Sequence, residues 1–255
     1  MSMSHAENKG VVQVIRRSSR NLLKQIVMFP FGGGSGYSYM SLISEIDIDV
    51  EVVVINPPGH LFNTGKPLES IDAMVYLYLK ELRPVLKNNC LFFSHSIGAL
   101  VAYELCKDLE KEMNIKKMII SSVNPPHCVM DTLDLHWQMD TATLINKSTE
   151  LGGMPKIFEN EPELLEMFIG ALRADLKALE RYTADKARQK KGPKIKTNAI
   201  VLYGDGDYIV NPAKLQEWQL YMHCTEFIKF PGDHFYLFED SNRKAVGQIL
   251  MKYVN

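Results

Sequence analysis

Residues 90–102 read C-L-F-F-S-H-S-I-G-A-L-V-A: an apolar strand-like run, a serine motif and a helix-like run. In this context the motif G-x-S-x-G forms a tight turn between a strand and a helix, with the central hydroxyl exposed above the sheet. The positions two before and two after that serine must be small, because strand and helix nearly touch there. Ser94 replaces the usual first glycine and Gly98 keeps the second. We therefore predict that Ser96 is a catalytic nucleophile, and that His95 points into the packing.

Outside this turn, the chain alternates strand-like and helix-like segments. Short apolar runs predict strands, and apolar residues at helical spacing predict helices. Such alternation builds a mainly parallel sheet with helices on both faces. The predicted strands are Ile26–Phe29, Val50–Ile55, Cys90–Phe93, Lys117–Ser121, Ala199–Tyr203 and Thr225–Phe230. Three of the predicted helices are Tyr37–Ile46, Pro212–Tyr221 and Asn242–Tyr253. A fourth is capped by Ser70 and runs through Leu82 and Val85, and a fifth runs through Ala99–Leu105.

One segment, from about residue 125 to 196, interrupts this alternation and shows no convincing strand. Pro162 starts a long amphipathic helix within it, and an insertion of this length is expected to carry its own helices. We interpret it as a helical lid over the sheet; an ordinary crossover helix with long connections is the alternative. Residues 25–255 are thus predicted to form a single domain, with residues 1–24 as an N-terminal extension.

A serine hydroxyl becomes a good nucleophile only when a base removes its proton. The chain has seven histidines, and their positions relative to the predicted strands select one of them. His234 alone follows the last predicted strand, which is where the base lies when the order along the chain is Ser, acid, His. The acid is expected after the preceding strand, where Asp205 and Asp207 share a turn. We predict that Asp207 orients His234, while Asp205 is expected to be a turn residue that bonds to its own backbone.

The negative oxygen that forms during acyl transfer needs preorganised N–H donors, each contributing roughly 3 kcal/mol. The backbone N–H of Ile97, the residue after the nucleophile, is one candidate. The second is Gly32, in the glycine-rich loop Phe29–Gly36 after the first predicted strand. A nucleotide-binding loop is the rival interpretation, but this loop lacks the lysine of one such motif and the third glycine of the other.

Composition and charge exclude several function classes. The chain has 255 residues, 46% of them hydrophobic, and a net charge of −1, so no strong field attracts nucleic acid or an anionic membrane. No apolar run approaches the roughly 18 residues that a membrane span needs, and no secretory signal is evident. The four cysteines never form C-x-x-C and are expected to be reduced core residues. We predict a cytoplasmic monomer without metal or cofactor.

With these residues in place, the chain resembles the type II (external, editing) thioesterases of polyketide and nonribosomal peptide biosynthesis, which are α/β-hydrolases. The resemblance covers about residues 25 to 250. The Gly-Gly-x-Pro and Arg-Ala-Asp segments of the lid are its most specific motifs. The landmarks are Phe29-Pro30, Pro58-Gly59, the Ser96 turn, Leu151–Pro155, Leu172–Asp175, Glu180–Tyr182, Gly204–Asp207 and Gly232–Leu237. Three features depart from the family: Ser94 replaces the first glycine of the turn, Phe31-Gly32 replaces the usual His-Ala, and His60 replaces the arginine that commonly follows Pro-Gly.

The resemblance implies a fold, an activity and a partner. It implies an α/β-hydrolase fold with a lid, and Ser96, Asp207 and His234 as the catalytic residues. It also implies hydrolysis of acyl or aminoacyl thioesters from the phosphopantetheine arm of a carrier protein. The apolar lid residues Leu164, Met167, Phe168 and Leu172 are candidates for substrate contact, with plain packing as the alternative.

Four other functions stay open at this stage. A related branch of the family releases medium-chain fatty acids from fatty acid synthase. A carboxylesterase for small diffusible esters uses the same three residues. A non-catalytic protein that kept the fold, and an acyltransferase with an acceptor other than water, are the remaining two.

Overall fold

The fold is a seven-stranded, mostly parallel sheet. The computed structural model describes residues 10–19, 24–61, 63–154, 161–185 and 194–255. Within these residues the strand order is β1-β3-β2-β4-β5-β6-β7, and only β1 runs antiparallel to its neighbour. The strands are β1 Val12–Arg16, β2 Gln25–Phe29, β3 Glu51–Ile55, β4 Cys90–His95, β5 Ile115–Ser121, β6 Asn198–Gly204 and β7 His223–Phe230. The six strands predicted from the sequence are confirmed, each within three residues at either end.

Strand β1 was not predicted. It pairs with β3 at the edge of the sheet, within the segment that the sequence analysis assigns to an N-terminal extension. The sheet therefore starts upstream of residue 25, and that domain boundary is too late. The strand is only half-buried along its length, so its apolar signal, Val12 alternating with Gln13 and Val14, is short and weak. Residues 1–9 and 20–23 of the predicted extension, and 155–160 and 186–193 of the predicted lid, lie outside the described residues.

Helices cover both faces of the sheet, as predicted. Along β2, Val27 and Phe29 join the core on one face, and Ile26 and Met28 join the core on the other. This follows from the two-residue repeat of a strand. The described helices are α1 Met40–Ser44, α2 Ile71–Leu82, α3 Ile97–Leu109, α4 Thr141–Glu150, α5 Pro162–Ala184, α6 Pro212–Leu215 and α7 Asp240–Val254. Among them, none is both long and apolar enough to cross a membrane.

Local chemistry explains where the key helices begin. Ser70 caps α2 by accepting a hydrogen bond from the N–H of Ala73 at 3.2 Å, as the sequence predicts. Pro162 occupies the first turn of α5, where its missing N–H costs nothing.

The four cysteines are buried free thiols, also as predicted.

The inserted segment is helical where it is described. Residues 124–154, 161–185 and 194–196 contain α4 and α5 and no strand. A third apolar cluster, separate from the two cores of the sheet, joins α4 and α5 through Leu144, Phe168 and Leu172. The segment therefore has a small core of its own, which fits a lid better than a single crossover helix does.

Candidate active site

Ser96 lies at the turn between β4 and α3. Its backbone has φ 53° and ψ −131°, a conformation that costs a non-glycine residue about 1–3 kcal/mol. Its N–H donates to the carbonyl of Ser121 at the end of β5, at 2.9 Å, which holds the turn against the sheet. The turn leaves Ser96 half-buried on the wall of a cavity.

The two small positions around Ser96 behave differently. A Cβ added to Gly98 would lie 2.3 Å from the carbonyl oxygen of Pro30 and 2.7 Å from that of Phe29. These are backbone atoms of the neighbouring loop, so they cannot move aside cheaply. Ser94 is fully buried, and its hydroxyl donates to the carbonyl of Ile119 at 3.1 Å. A hydroxymethyl group therefore fits in place of the usual glycine.

We predict that Gly98→Ala lowers the free energy of unfolding by about 2–3 kcal/mol, because the new methyl group must push β2's loop away from the Ser96 turn. Chemical denaturation measures this directly. Gly170→Ala is the matched control: Gly170 lies inside α5, and an added Cβ meets nothing within 4 Å. There alanine should stabilise the helix by about 0.5–1 kcal/mol. Equal effects of the two substitutions would contradict the proposed crowding at Gly98.

His234 and Asp207 are joined by a hydrogen bond. The distance from His234 Nδ1 to Asp207 Oδ2 is 2.8 Å, and both side chains are buried. Because a carboxylate accepts, Nδ1 donates, which leaves Nε2 free to accept a proton. Asp207 Oδ1 accepts a second bond, from the N–H of Ile209 at 3.2 Å. The structure thus fixes the orientation of this imidazole.

Asp205, the other acid of the turn, has a different role. Its Oδ1 accepts from the N–H of Gly232 at 3.2 Å, and its side chain is 46% exposed. It therefore ties the turn after β6 to the loop after β7, rather than bonding to its own backbone as predicted from the sequence. In the part of the chain that the structure describes, Asp205 forms no contact with His234, so Asp207 is the carboxylate that orients the imidazole.

Ser96 and His234 line the same cavity, which has an empty volume of about 550 Å³ including its open mouth. Among the described residues, no hydrogen bond joins Ser96 Oγ to the imidazole. Such contacts commonly tighten only when substrate binds. Gly32 and Ile97 also line this cavity, and a Cβ on Gly32 would lie 3.8 Å from Ile97 Cγ2. Ile97 is the first residue of α3, where a backbone N–H has no partner inside the helix.

The lid residues divide into two pairs. Phe168 and Leu172 are buried and line the cavity. Leu164 is half-buried in the lid's own cluster, and Met167 is 38% exposed; neither lines this cavity. The lining face of α5 continues instead through Leu176 and Leu179, which lie four and seven residues after Leu172. This helical repeat was visible in the sequence.

A second imidazole lies beside His234. The ring of His95 is fully buried, 4.9 Å between centroids from the ring of His234. Its Nδ1 is 2.9 Å from Ser121 Oγ, and burial, followed by the positive charge that His234 can carry, lowers the pKa of His95 well below its usual value. His95 therefore stays neutral and packs inward, as expected. In the part of the chain that the structure describes, no group of three or more His, Cys, Asp or Glu side chains could hold a metal ion.

A mostly parallel sheet, a strained serine at a strand-to-helix turn and a histidine–aspartate pair after the last two strands define an α/β-hydrolase. The thioesterase-domain family profile matches residues 24–253. The chain therefore belongs to the thioesterase family, and it is a thioester hydrolase. This confirms the resemblance that the sequence motifs indicate.

Individual relatives agree with this assignment. The probable anguibactin biosynthesis thioesterase AngT of Vibrio anguillarum is 30% identical, over 84% of this chain and 85% of its own length. The solved structure of YbtT, a type II thioesterase of the yersiniabactin pathway, is 27% identical with a TM-score of 0.79, covering 96% of this chain and 98% of its own. The structure of BorB, a type II thioesterase of borrelidin biosynthesis, shares the fold with a TM-score of 0.84 at 24% identity, covering 98% and 99%.

Proposed function

We propose that this protein hydrolyses acyl or aminoacyl thioesters from the phosphopantetheine arm of a carrier protein in a polyketide or nonribosomal peptide pathway. The observation that carries the chemistry is the 2.8 Å bond between His234 and Asp207, beside a cavity that Ser96 also lines. The pathway is supported by the similarity to YbtT, a type II thioesterase of a nonribosomal peptide and polyketide pathway, and to AngT, a probable thioesterase of anguibactin biosynthesis.

In the first half of the reaction, Ser96 Oγ attacks the thioester carbonyl carbon and its proton passes to His234 Nε2. The carbonyl oxygen becomes negative and is held by the N–H groups of Ile97 and Gly32. The C–S bond then breaks, and the departing phosphopantetheine sulfur takes the proton from His234. The products of this half are a free carrier thiol and an acyl ester on Ser96.

In the second half, water replaces the serine. His234 accepts a proton from the water, whose oxygen attacks the acyl ester. The bond from the acyl carbon to Ser96 Oγ breaks, and Oγ regains the proton from His234. The acid leaves and the enzyme is restored. Asp207 stabilises the positive imidazolium in both halves and keeps it in one orientation.

The cavity suits an acyl group. Its lining is largely aliphatic and aromatic, with Phe168, Leu172, Leu176 and Leu179 contributed by α5 alone. Apolar lining favours burial of a hydrocarbon chain at roughly 0.8 kcal/mol per CH2 group. We propose that the lid shapes this pocket, that the chain acts as a monomer on its carrier protein in the cytoplasm, and that the reaction needs no cofactor.

The carrier-protein proposal predicts a preference for carrier-bound over small thioesters, which an esterase for small diffusible esters would lack. The same acyl group is compared on a phosphopantetheinylated carrier protein and on N-acetylcysteamine. We expect kcat/KM to be about 100-fold higher for the carrier-bound thioester, because binding energy from the carrier lowers the barrier. Equal values would show a general esterase without a carrier partner. Release of a transferred acyl product instead of free acid would show an acyltransferase.

A further inference from the structure

A buried carboxylate ties the loop after β2 to the lid helix. Asp175 lies on α5 and is 4% exposed. Its Oδ2 accepts a hydrogen bond from the N–H of Gly33 at 2.8 Å. Gly33 has φ +73°, and a Cβ there would lie 2.7 Å from the Phe168 ring. The loop is therefore pressed against α5 at the residue that directly follows Gly32.

The same carboxylate oxygen contacts a fully buried histidine. His60 Nε2 lies 2.9 Å from Asp175 Oδ2, and His60 Nδ1 lies 3.2 Å from the carbonyl oxygen of Pro58. Both ring nitrogens thus face oxygen acceptors. A neutral imidazole has a single N–H and would turn one lone pair toward an oxygen, whereas the imidazolium donates to both. The geometry therefore favours the protonated ring.

Electrostatics in this region agree with a charged pair. Burial alone lowers the pKa of His60, but the charge and hydrogen bond of Asp175, together with the Pro58 carbonyl, raise it above its usual value. Further titratable groups face the pair in the described residues: His234, which lines the same cavity as Asp175, and Tyr78 of α2. Burial, and then the Asp175 charge, raise the pKa of Tyr78 well above its usual value, so it stays neutral.

Asp175 also lines the cavity with Ser96, Gly32 and Ile97. A Cβ on Gly32 would lie 3.9 Å from the Asp175 Cβ. A carboxylate so close to the proposed donors would repel the negative oxygen that forms during attack, unless its charge is cancelled. His60 is the cation in contact with it.

We infer that His60 and Asp175 are positioning residues for the oxyanion site: Asp175 holds the loop that carries Gly32, and the His60 imidazolium cancels the carboxylate charge beside the forming oxyanion. The inference rests on the proposed roles of Ser96, Gly32 and Ile97. An arginine in place of His60 would be charged at every working pH, whereas histidine makes the cancellation depend on pH.

The sign of that dependence follows from the charges. Below the raised pKa of His60 the pair is neutral. As pH rises through that pKa, His60 loses its proton and Asp175 keeps an uncompensated negative charge, so the barrier rises and kcat falls. The wild-type profile is therefore expected to fall on the alkaline side, with His60 responsible for this alkaline limb.

Three variants test this, with kcat and KM measured between about pH 5.5 and 10 on a small acyl thioester. His60→Arg should keep the high plateau of kcat and lose the alkaline limb. His60→Gln should also lose the limb, but with kcat about 10- to 100-fold lower at neutral pH. Asp175→Asn should also lose the limb, because it removes the charge that His60 cancels, while its amide oxygen still accepts from Gly33. In each case KM should change less than kcat, and thermal unfolding reports whether the variant is folded.

His136→Arg is the matched control, because His136 is a half-exposed lid histidine that also faces a carboxylate, Glu180, at 3.3 Å. Its profile should equal the wild-type one. An alkaline limb that persists in any folded variant of the three, or a wild-type profile without one, would overturn the inference. Because the substrate is a small thioester, the pH profiles of these variants can be interpreted even if the carrier-protein proposal fails. Failure of the Ser96 assignment is detected separately, by Ser96→Ala.

Discussion

Ser96→Ala is expected to lower kcat by a factor of about 10⁴ or more, on small and carrier-bound thioesters alike. Alanine removes the oxygen that forms the acyl ester and keeps everything else at the site. The residual rate should come only from substrate binding and from the N–H donors of Ile97 and Gly32. These donors stabilise the negative oxygen whichever nucleophile attacks the carbonyl carbon. Substrate binding should change little, because the cavity wall keeps its shape.

A fluorophosphonate probe measures the same prediction independently of turnover. The wild type should be labelled once, on the peptide that contains Ser96, and Ser96→Ala should not be labelled. Ser94→Gly is the control: it removes a hydroxyl two residues away and restores the glycine that is usual at this turn. It should keep both labelling and most of the activity. If Ser96→Ala remained as active as the wild type, the assignment of the nucleophile would be wrong.

The sheet was largely predictable, because its central strands are buried on both faces. Each of β2 to β5 contains an uninterrupted run of at least three apolar residues, and such runs stand out from the sequence around them. β1 escaped prediction for the opposite reason. It is a five-residue edge strand, half-buried throughout, and its partner β3 lies some 40 residues further along the chain. Pairing across that distance leaves little trace in local composition.

The three candidate catalytic residues could be proposed from their order along the chain. Ser96, Asp207 and His234 each follow a strand of a parallel sheet, and the carboxyl ends of such strands meet at one edge. The lid was harder, because choosing the lining face of α5 requires knowing where the helix lies. Met167 shows this: it is apolar and next to Phe168, yet it points to solvent.

The His60–Asp175 pair was out of reach for a different reason. The two residues are 115 positions apart, and each looks ordinary in its own segment. The sequence shows only a histidine directly after Pro58-Gly59. Whether that histidine is charged depends on the second acceptor, the Pro58 carbonyl, and on complete burial of the ring. Both are properties of the folded chain.

Asp207→Asn is expected to lower kcat by a factor of about 10³–10⁴. The amide nitrogen that replaces a carboxylate oxygen can donate toward His234 Nδ1, which then accepts and places its proton on Nε2. In that tautomer Nε2 cannot take the proton of Ser96. The variant also loses the negative charge that stabilises the imidazolium in both halves of the reaction. Steady-state kinetics at saturating thioester measure the loss, which should fall on kcat more than on KM.

Asp205→Asn separates this effect from general damage to the turn. Asp205 lies two residues away and accepts from the Gly232 N–H, a bond that the amide oxygen of asparagine can keep. Its kcat should stay within about threefold of the wild type, because no charge or proton of the reaction passes through it. A large loss in Asp205→Asn with little loss in Asp207→Asn would reverse the two assignments.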